Sequence, residues 1–326
     1  MHRRDLIRLV GGGAVAWPLA AVAQSSKVYR VGTFTAGVPI VPSAGPGAML
    51  FNSLAKRGYV LGQNLVQEGR AAVGKMDLVP QLMQELKAAN VDVVVTISYP
   101  AAAAAKASGV ATVIATGSGD PVATGLVESL ARPGGNLTGI ADDASMLSTK
   151  RLSLLTALSP RLRRIAMLWN KDDLGMSLRY QASSKAAEGA GITVQPLGVR
   201  EPDDFNEAFA TMTRDPPDAI LMVSDSLTVL NRKRVIDYAA EHRLPAIYES
   251  DVIVRDGGLM SYGADPGESF DRAAAMVDLI LKGARPADLP VEQPTRYRFV
   301  INLKTAKSIG LEIPPTLAAL ADEVIE

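Results

Sequence analysis

The chain of 326 residues contains no cysteine. This excludes disulfides, thiolate-bound metals, a cysteine nucleophile and a lipid-modified N-terminal cysteine. Histidine is nearly absent as well: only His2 and His242 occur. A Ser-His-Asp triad or a histidine metal site would have to be built on one of them. There is no excess of charge of either sign, with 34 basic and 34 acidic residues. Nothing basic therefore points to nucleic acid or to an anionic lipid surface. Aromatic residues make up only 5% of a chain that is 48% hydrophobic. That aliphatic bias fits parallel sheets covered on both faces. Long apolar runs are also missing. The longest, residues 9 to 20, is interrupted by Gly11, Gly12, Gly13 and Pro18, too short and too broken to span a bilayer.

That short run nevertheless carries information. Arg3 and Arg4 precede it, and Ala21-Val22-Ala23 follow it, before Gln24. Paired arginines, an apolar stretch and an A-x-A site make a bacterial export signal of the twin-arginine type, covering residues 1–23. Cleavage behind Ala23 leaves 303 of the 326 residues, with 31 basic and 33 acidic side chains. Without a lipid anchor, the mature protein is expected free in the periplasm.

The remaining sequence alternates short apolar runs with amphipathic stretches. Strands are predicted at 29–34, 64–69, 91–97, 112–115 and 137–140, with helices at 48–57, 78–89, 101–106 and 121–130 between them. A second set follows. Its strands are predicted at 164–169, 193–199, 219–223, 245–248 and 259–262, and its helices at 149–158, 178–190, 203–213, 230–242 and 269–282. Strands alternating with helices imply parallel sheets with right-handed crossovers. The fold class is therefore α/β, with two Rossmann-like lobes joined by a hinge near residues 141–148. Lobe one is expected to hold 24–143 and about 266–290. Lobe two is expected to hold 144–265 and about 291–326.

Ligands of open parallel sheets sit beyond the carboxyl ends of the strands. Those ends are polar in this chain. They read Thr33-Phe34-Thr35, Ser98-Tyr99, the Gly117 to Asp120 loop, Asn170, Ser224-Asp225-Ser226, Tyr248-Glu249 and Tyr262. If the lobes face each other, these residues line one cleft. Ser98 opens a helix, whose first unpaired N–H groups suit a carboxylate. Asp120, before Pro121, reads first as a helix cap, and flanking glycines would admit close backbone approach. The TGSGDP loop lacks the lysine and spacing of a phosphate-binding loop. Asp225 is suited to pair with a ligand ammonium group. Phe34, Tyr99, Trp169, Tyr248 and Tyr262 stand near strand ends and suggest a flat ligand held by stacking. Trp169 reads equally well as core. His242 reads as a helix-terminus residue.

Several stretches resemble the solute-binding proteins of ABC transporters, tryptophan/tyrosine-binding type. They are RGYVLGQNL (57–65), GDPVATGLVESLARPGGNLTGI (119–140), VIDYAAEHRLPAIY (235–248), GGLMSYG (257–263), ILKGARPADLPVEQPT (280–295) and INLKTAKSIGLEIP (301–314). The likeness runs through nearly the whole chain. It implies the type I periplasmic-binding fold, with three crossings between lobes and a helix after Gly263 that returns to the first lobe. The family pattern carries an aspartate at position 225. It commonly has proline where this chain has Ser226, and a small residue where it has Tyr99. The resemblance implies a small carboxylate-bearing ligand, an aromatic amino acid or related aromatic acid, and ABC permease subunits as partners. No enzyme activity, catalytic residue, cofactor, metal or nucleic acid is expected, and a monomer is. A periplasmic sensor subunit for a membrane kinase is the alternative. Less favoured is an exported hydrolase built on carboxylates such as Asp225 and Glu249.

Overall fold

A computed structural model describes residues 27–141 and 144–326. The expected export signal, residues 1–23, lies outside the described residues, as do residues 142 and 143 of the expected hinge. The first half runs β1 (Tyr29–Thr35), α1 (Gly45–Lys56), β2 (Leu65–Ala71), α2 (Val79–Ala88), β3 (Val93–Ile97), α3 (Tyr99–Ser108), β4 (Thr112–Thr116) and β5 (Leu137–Gly139). The second runs α4 (Ala144–Leu158), β6 (Arg164–Asn170), α5 (Leu174–Gly189), β7 (Thr193–Val199), α6 (Asp204–Arg214), β8 (Ala219–Met222), α7 (Ser226–Leu230), α8 (Arg232–Glu241), β9 (Ala246–Tyr248), α9 (Asp251–Arg255) and β10 (Met260–Ala264). Then come α10 (Pro266–Leu281), β11 (Tyr297–Asn302), α11 (Leu303–Ser308), α12 (Pro315–Ala318) and β12 (Glu323–Ile325).

Two sheets result, ordered β2-β1-β3-β4-β5 and β12-β11-β10-β9-β8-β6-β7. The first is parallel throughout. The second is parallel except where β11 lies antiparallel to β10. Pleating sends alternate side chains to opposite faces, so each sheet feeds two cores. Val31, Val93 and Val95 pack with Leu50 and Leu54 of α1 and with Phe270 and Val277 of α10. Phe34 and Val94 face Met83, Leu86, Ala101 and Ala105 on α2 and α3. In the second sheet, Ile165, Met167 and Leu221 pack with Leu155 and Met176. Ala166, Leu168 and Ile220 meet Phe205 and Val235. Helix α10 thus follows β10 in sequence but packs on the first sheet, while β11 and β12 rejoin the second.

The chain passes between lobes after β5, at Asp265, and again before β11. These crossings are laced together. Ala141 N–H donates to Glu292 O at 2.8 Å, and Asp265 N–H to Arg296 O at 2.9 Å. Glu268 accepts from the N–H groups of Thr295 and Arg296.

Two sequence expectations fail locally. The helix expected at 121–130 is a series of turns. Gly125 adopts φ +70° in its middle, and Glu128 N–H turns out to reach Pro133 O. The single helix expected at 230–242 starts at Ser226 and breaks at Asn231, giving α7 and α8.

Candidate functional site

The carboxyl ends of β1, β3 and β4 meet those of β6 and β8 across a narrow seam. A methyl group placed on Gly37, after β1, would stand 3.2 Å from Ser226 Oγ in the other lobe. One on Gly74 would stand 3.3 Å from Leu230 Cδ1. The closest approach is backbone on backbone. A Cβ on Gly119 would lie 2.9 Å from Gly175 Cα, and a Cβ on Gly175 would lie 2.7 Å from Ser118 O. Only paired glycines allow the lobes to come this near. The cleft is closed.

On the first lobe, Ser98 sits between β3 and α3 with φ +90°. A non-glycine residue in this region is strained, by roughly 1–3 kcal/mol. Its hydroxyl does not cap α3; instead it accepts from Ala36 N–H at 3.4 Å. The first N–H groups of α3 are therefore left without a side-chain acceptor at the seam. Gly117 presses on this turn, since its Cβ would stand 3.3 Å from Ser98 N. Thr35 is buried and accepts from Gly37 N–H at 3.0 Å, holding the loop that touches Ser226. Thr33 accepts from Gln67 Nε2 and serves the sheet. Tyr99 is half-buried, and its phenol is pushed up by loss of hydration and by the nearby Asp173 charge.

On the second lobe, Asp225 is buried at the N-terminus of α7. Its Oδ1 accepts from Thr228 N–H, and Thr228 Oγ1 in turn accepts from Asp225 N–H, each at 2.8 Å. Its Oδ2 accepts from Asn170 Nδ2 at 2.7 Å. Asn170 Oδ1 accepts from Asp172 N–H, which orients the amide. Capping leaves Oδ2 with acceptor capacity in hand. Ser224 donates its N–H to Glu249 Oε2 at 3.2 Å, and its buried Oγ makes no hydrogen bond to a described residue.

Sequence reasoning missed three residues here. Asp173 is 3% exposed and caps α5, accepting from Met176 N–H at 3.1 Å. Burial, then the neighbouring Asp225 charge, push its carboxyl up to about 7. The signal was an aspartate three residues before the first helical methionine, but the helix was expected to begin only at 178. Arg151 and Arg179, both buried, complete the floor. Arg151 Nη1 donates to Glu249 Oε1 at 2.7 Å and its Nε to Tyr262 O at 2.8 Å. Arg179 Nη1 donates to Glu249 Oε2. Glu249, expected among the ligand contacts and paired with Asp225 in the hydrolase alternative, is thus engaged within its own lobe by two guanidiniums and a backbone N–H.

The remaining expected contacts stand in different surroundings. Phe34 and Tyr248 are completely buried, each in a hydrophobic core on the helix-covered face of its sheet. Trp169 stacks on Tyr180 at 3.6 Å between ring centroids and packs against the core of the second lobe. Asp120 is exposed and holds a turn, accepting from the N–H groups of Val122 and Ala123. Of the five aromatics, Tyr99, Trp169 and Tyr262 are half-buried at the cores' margins; Tyr262 stacks on Tyr297 at 6.0 Å. Among the described residues no group of His, Cys, Asp and Glu could hold a metal ion, and no helix is long and apolar enough to cross a membrane.

Comparisons with known proteins bear on the family and the fold. The family model of ABC transporter substrate binding proteins matches residues 48–325. A tyrosine-binding protein of Clostridioides difficile is 26% identical over 261 residues, covering 80% of this chain and 75% of the relative. The ABC domain in complex with L-Trp from Streptococcus pneumonia superposes with a TM-score of 0.83 at 25% identity, covering 92% of this chain and 100% of that one. A conserved domain protein from Vibrio cholerae gives a TM-score of 0.84 at 24% identity, over 91% and 100% of the two chains. The expected α/β fold with two parallel-sheet lobes, of the type I periplasmic-binding kind, is the one found.

Proposed function

Because this chain belongs to the ABC transporter substrate binding protein family, we propose that it is the periplasmic solute-binding component of an importer. Its ligand is a small carboxylate-bearing molecule, an aromatic amino acid or related aromatic acid, and the two lobes close on it. The observation that carries this reading is the pairing of opposite polarities across the seam. The N-terminus of α3, headed by the strained and uncapped Ser98, offers N–H groups to a carboxylate. The lobe opposite offers Asp225, held in place by Asn170, to an ammonium group. Tyr99 stands beside them to stack on an aromatic ring. The named ligands of the relatives, L-Trp and tyrosine, are α-amino acids with aromatic side chains and have this same polarity. Closure would then present the permease with a surface that exists only when the ligand bridges both lobes. Mass spectrometry of the copurifying ligand, followed by calorimetry with L-tyrosine and L-tryptophan, tests the class.

Asp225→Ala would remove the α7 cap along with the charge, so Asp225→Asn is the cleaner variant. Asparagine can still accept from Thr228 N–H. A hydrogen bond to a charged group contributes about 1.5–3 kcal/mol, so Asp225→Asn should weaken an amino-acid ligand at least about tenfold. Ser98→Ala should cost less, because the α3 N–H groups remain. Unchanged affinity in Asp225→Asn would remove Asp225 as the ammonium anchor.

A further inference from the structure

Resting on the ligand reading above, we propose that Asp173 is a second carboxylate acting with Asp225, so that the closed cleft selects ligands carrying a positive charge. Two of the three lobe-two contacts described at the seam come from the first turn of an aspartate-capped helix. Gly175, the second residue of α5, touches Ser118, and Asp173 caps that helix. Ser226, the first residue of α7, touches Gly37, and Asp225 caps that one. The two buried carboxylates therefore stand on the same side of the seam, in one lobe, and closure sets the other lobe against the helices they cap. Asp173 is faced by Asp225 on α7, by Arg179 further along α5 and by Tyr99 at the start of α3. Arg179 donates to Glu249. The Asn170 amide answers one oxygen of Asp225 without bringing charge. Two like charges removed from water repel, and one leaves by taking up a proton unless a cation arrives. Burial first, and then that repulsion, push the Asp173 carboxyl up to about 7. A ligand ammonium group stands in for the proton. Binding an amine-bearing ligand should therefore expel a proton, and a neutral or purely anionic ligand should not.

The experiment uses matched probes on the full-length mature protein. These are L-tyrosine against 3-(4-hydroxyphenyl)propionate, and L-tryptophan against indole-3-propionate. Affinities are measured by calorimetry from pH 6 to 8 in wild type, Asp173→Asn and Asp225→Asn; asparagine preserves both helix caps. Wild type should prefer the amine-bearing partner at least tenfold, and its affinity for that partner should fall about tenfold between pH 7.5 and 6. Asp173→Asn should lose the pH slope and much of the preference, while its affinity for the amine-free probes holds or improves. Equal binding of both members of each pair by wild type, or an unchanged slope in Asp173→Asn, overturns the proposal and leaves the aromatic-acid reading standing. If none of the probes binds wild type, that reading fails, and ligand-free small-angle scattering decides the charge-coupling. A radius of gyration that shrinks between pH 8 and 5.5 in wild type, but not in Asp173→Asn, supports it. Identical behaviour of the two proteins rejects it.

Discussion

Asp173 also leaves a mark on the stability of the protein without ligand. Its carboxyl lies at about 7 in the folded protein against an ordinary 3.8. The folded state therefore binds this proton more tightly than the unfolded one, and the contribution is greatest below pH 4. It is lost as the pH rises through 7, to a total on the order of 2–4 kcal/mol. Asparagine cannot ionise and still caps α5. Asp173→Asn should therefore raise the unfolding temperature of the ligand-free protein at pH 8, with the gain shrinking toward pH 4. Thermal unfolding at several pH values checks this, and equal shifts at all of them would count against the burial argument. Asp225 was legible in the sequence because it follows an unmistakable strand and sits between serines. Asp173 was not, since nothing in Lys171-Asp172-Asp173-Leu174 distinguishes a loop from a cap until the helix start is known. The core positions of Phe34 and Tyr248 were hidden for a different reason. In a strand buried on both faces, polar residues do not mark the alternation, so the sequence hides which face an aromatic takes.

At the level of elements, the second lobe is pinned by Glu249, which follows β9. It draws together Arg151 from α4, Arg179 from α5 and the Ser224 N–H after β8, while Arg151 also holds Tyr262 O in β10. All three charged side chains are buried. Such a group adds little over a well-packed apolar substitute, but removing one member strands the others. The cost is then about 3–5 kcal/mol. Glu249→Gln should lower the denaturant midpoint accordingly with little change in slope. A loss below about 1 kcal/mol would show that the two arginines find other acceptors. Most elements were legible from periodicity alone, including ten of the twelve strands, all but β11 and β12. The turns at 121–131 were not, because Pro121-Val122-Ala123-Thr124 carries helical composition and only Gly125 at φ +70° breaks it. The antiparallel β11 was hidden as well. Its pairing depends on a chain that leaves the lobe through α10 and returns at 297, which local pattern does not encode.

For the whole molecule the question is what sets the closed position. At the seam Gly119 meets Gly175 backbone on backbone, so these glycines limit how far the lobes can turn toward each other. Gly175 lies in the first turn of α5 without a positive φ, so alanine there suits the helix backbone; its methyl would stand 3.3 Å from Asp173 Oδ1, which offsets that gain and leaves the change near neutral within its own lobe. In the closed molecule the added methyl would stand 2.7 Å from Ser118 O, too near for carbon and oxygen. Gly175→Ala therefore separates folding from closure. Its unfolding temperature without ligand should lie close to that of wild type, while affinity for a ligand that bridges the lobes should fall roughly tenfold or more. Most of that loss should appear as faster dissociation, because the open lobes still meet the ligand unhindered. Small-angle scattering at saturating ligand should show wild type contracting and Gly175→Ala contracting less. Full contraction of the variant with unchanged affinity would mean that the lobes rest on other contacts, with Gly37–Ser226 and Gly74–Leu230 next to be tested as the stop.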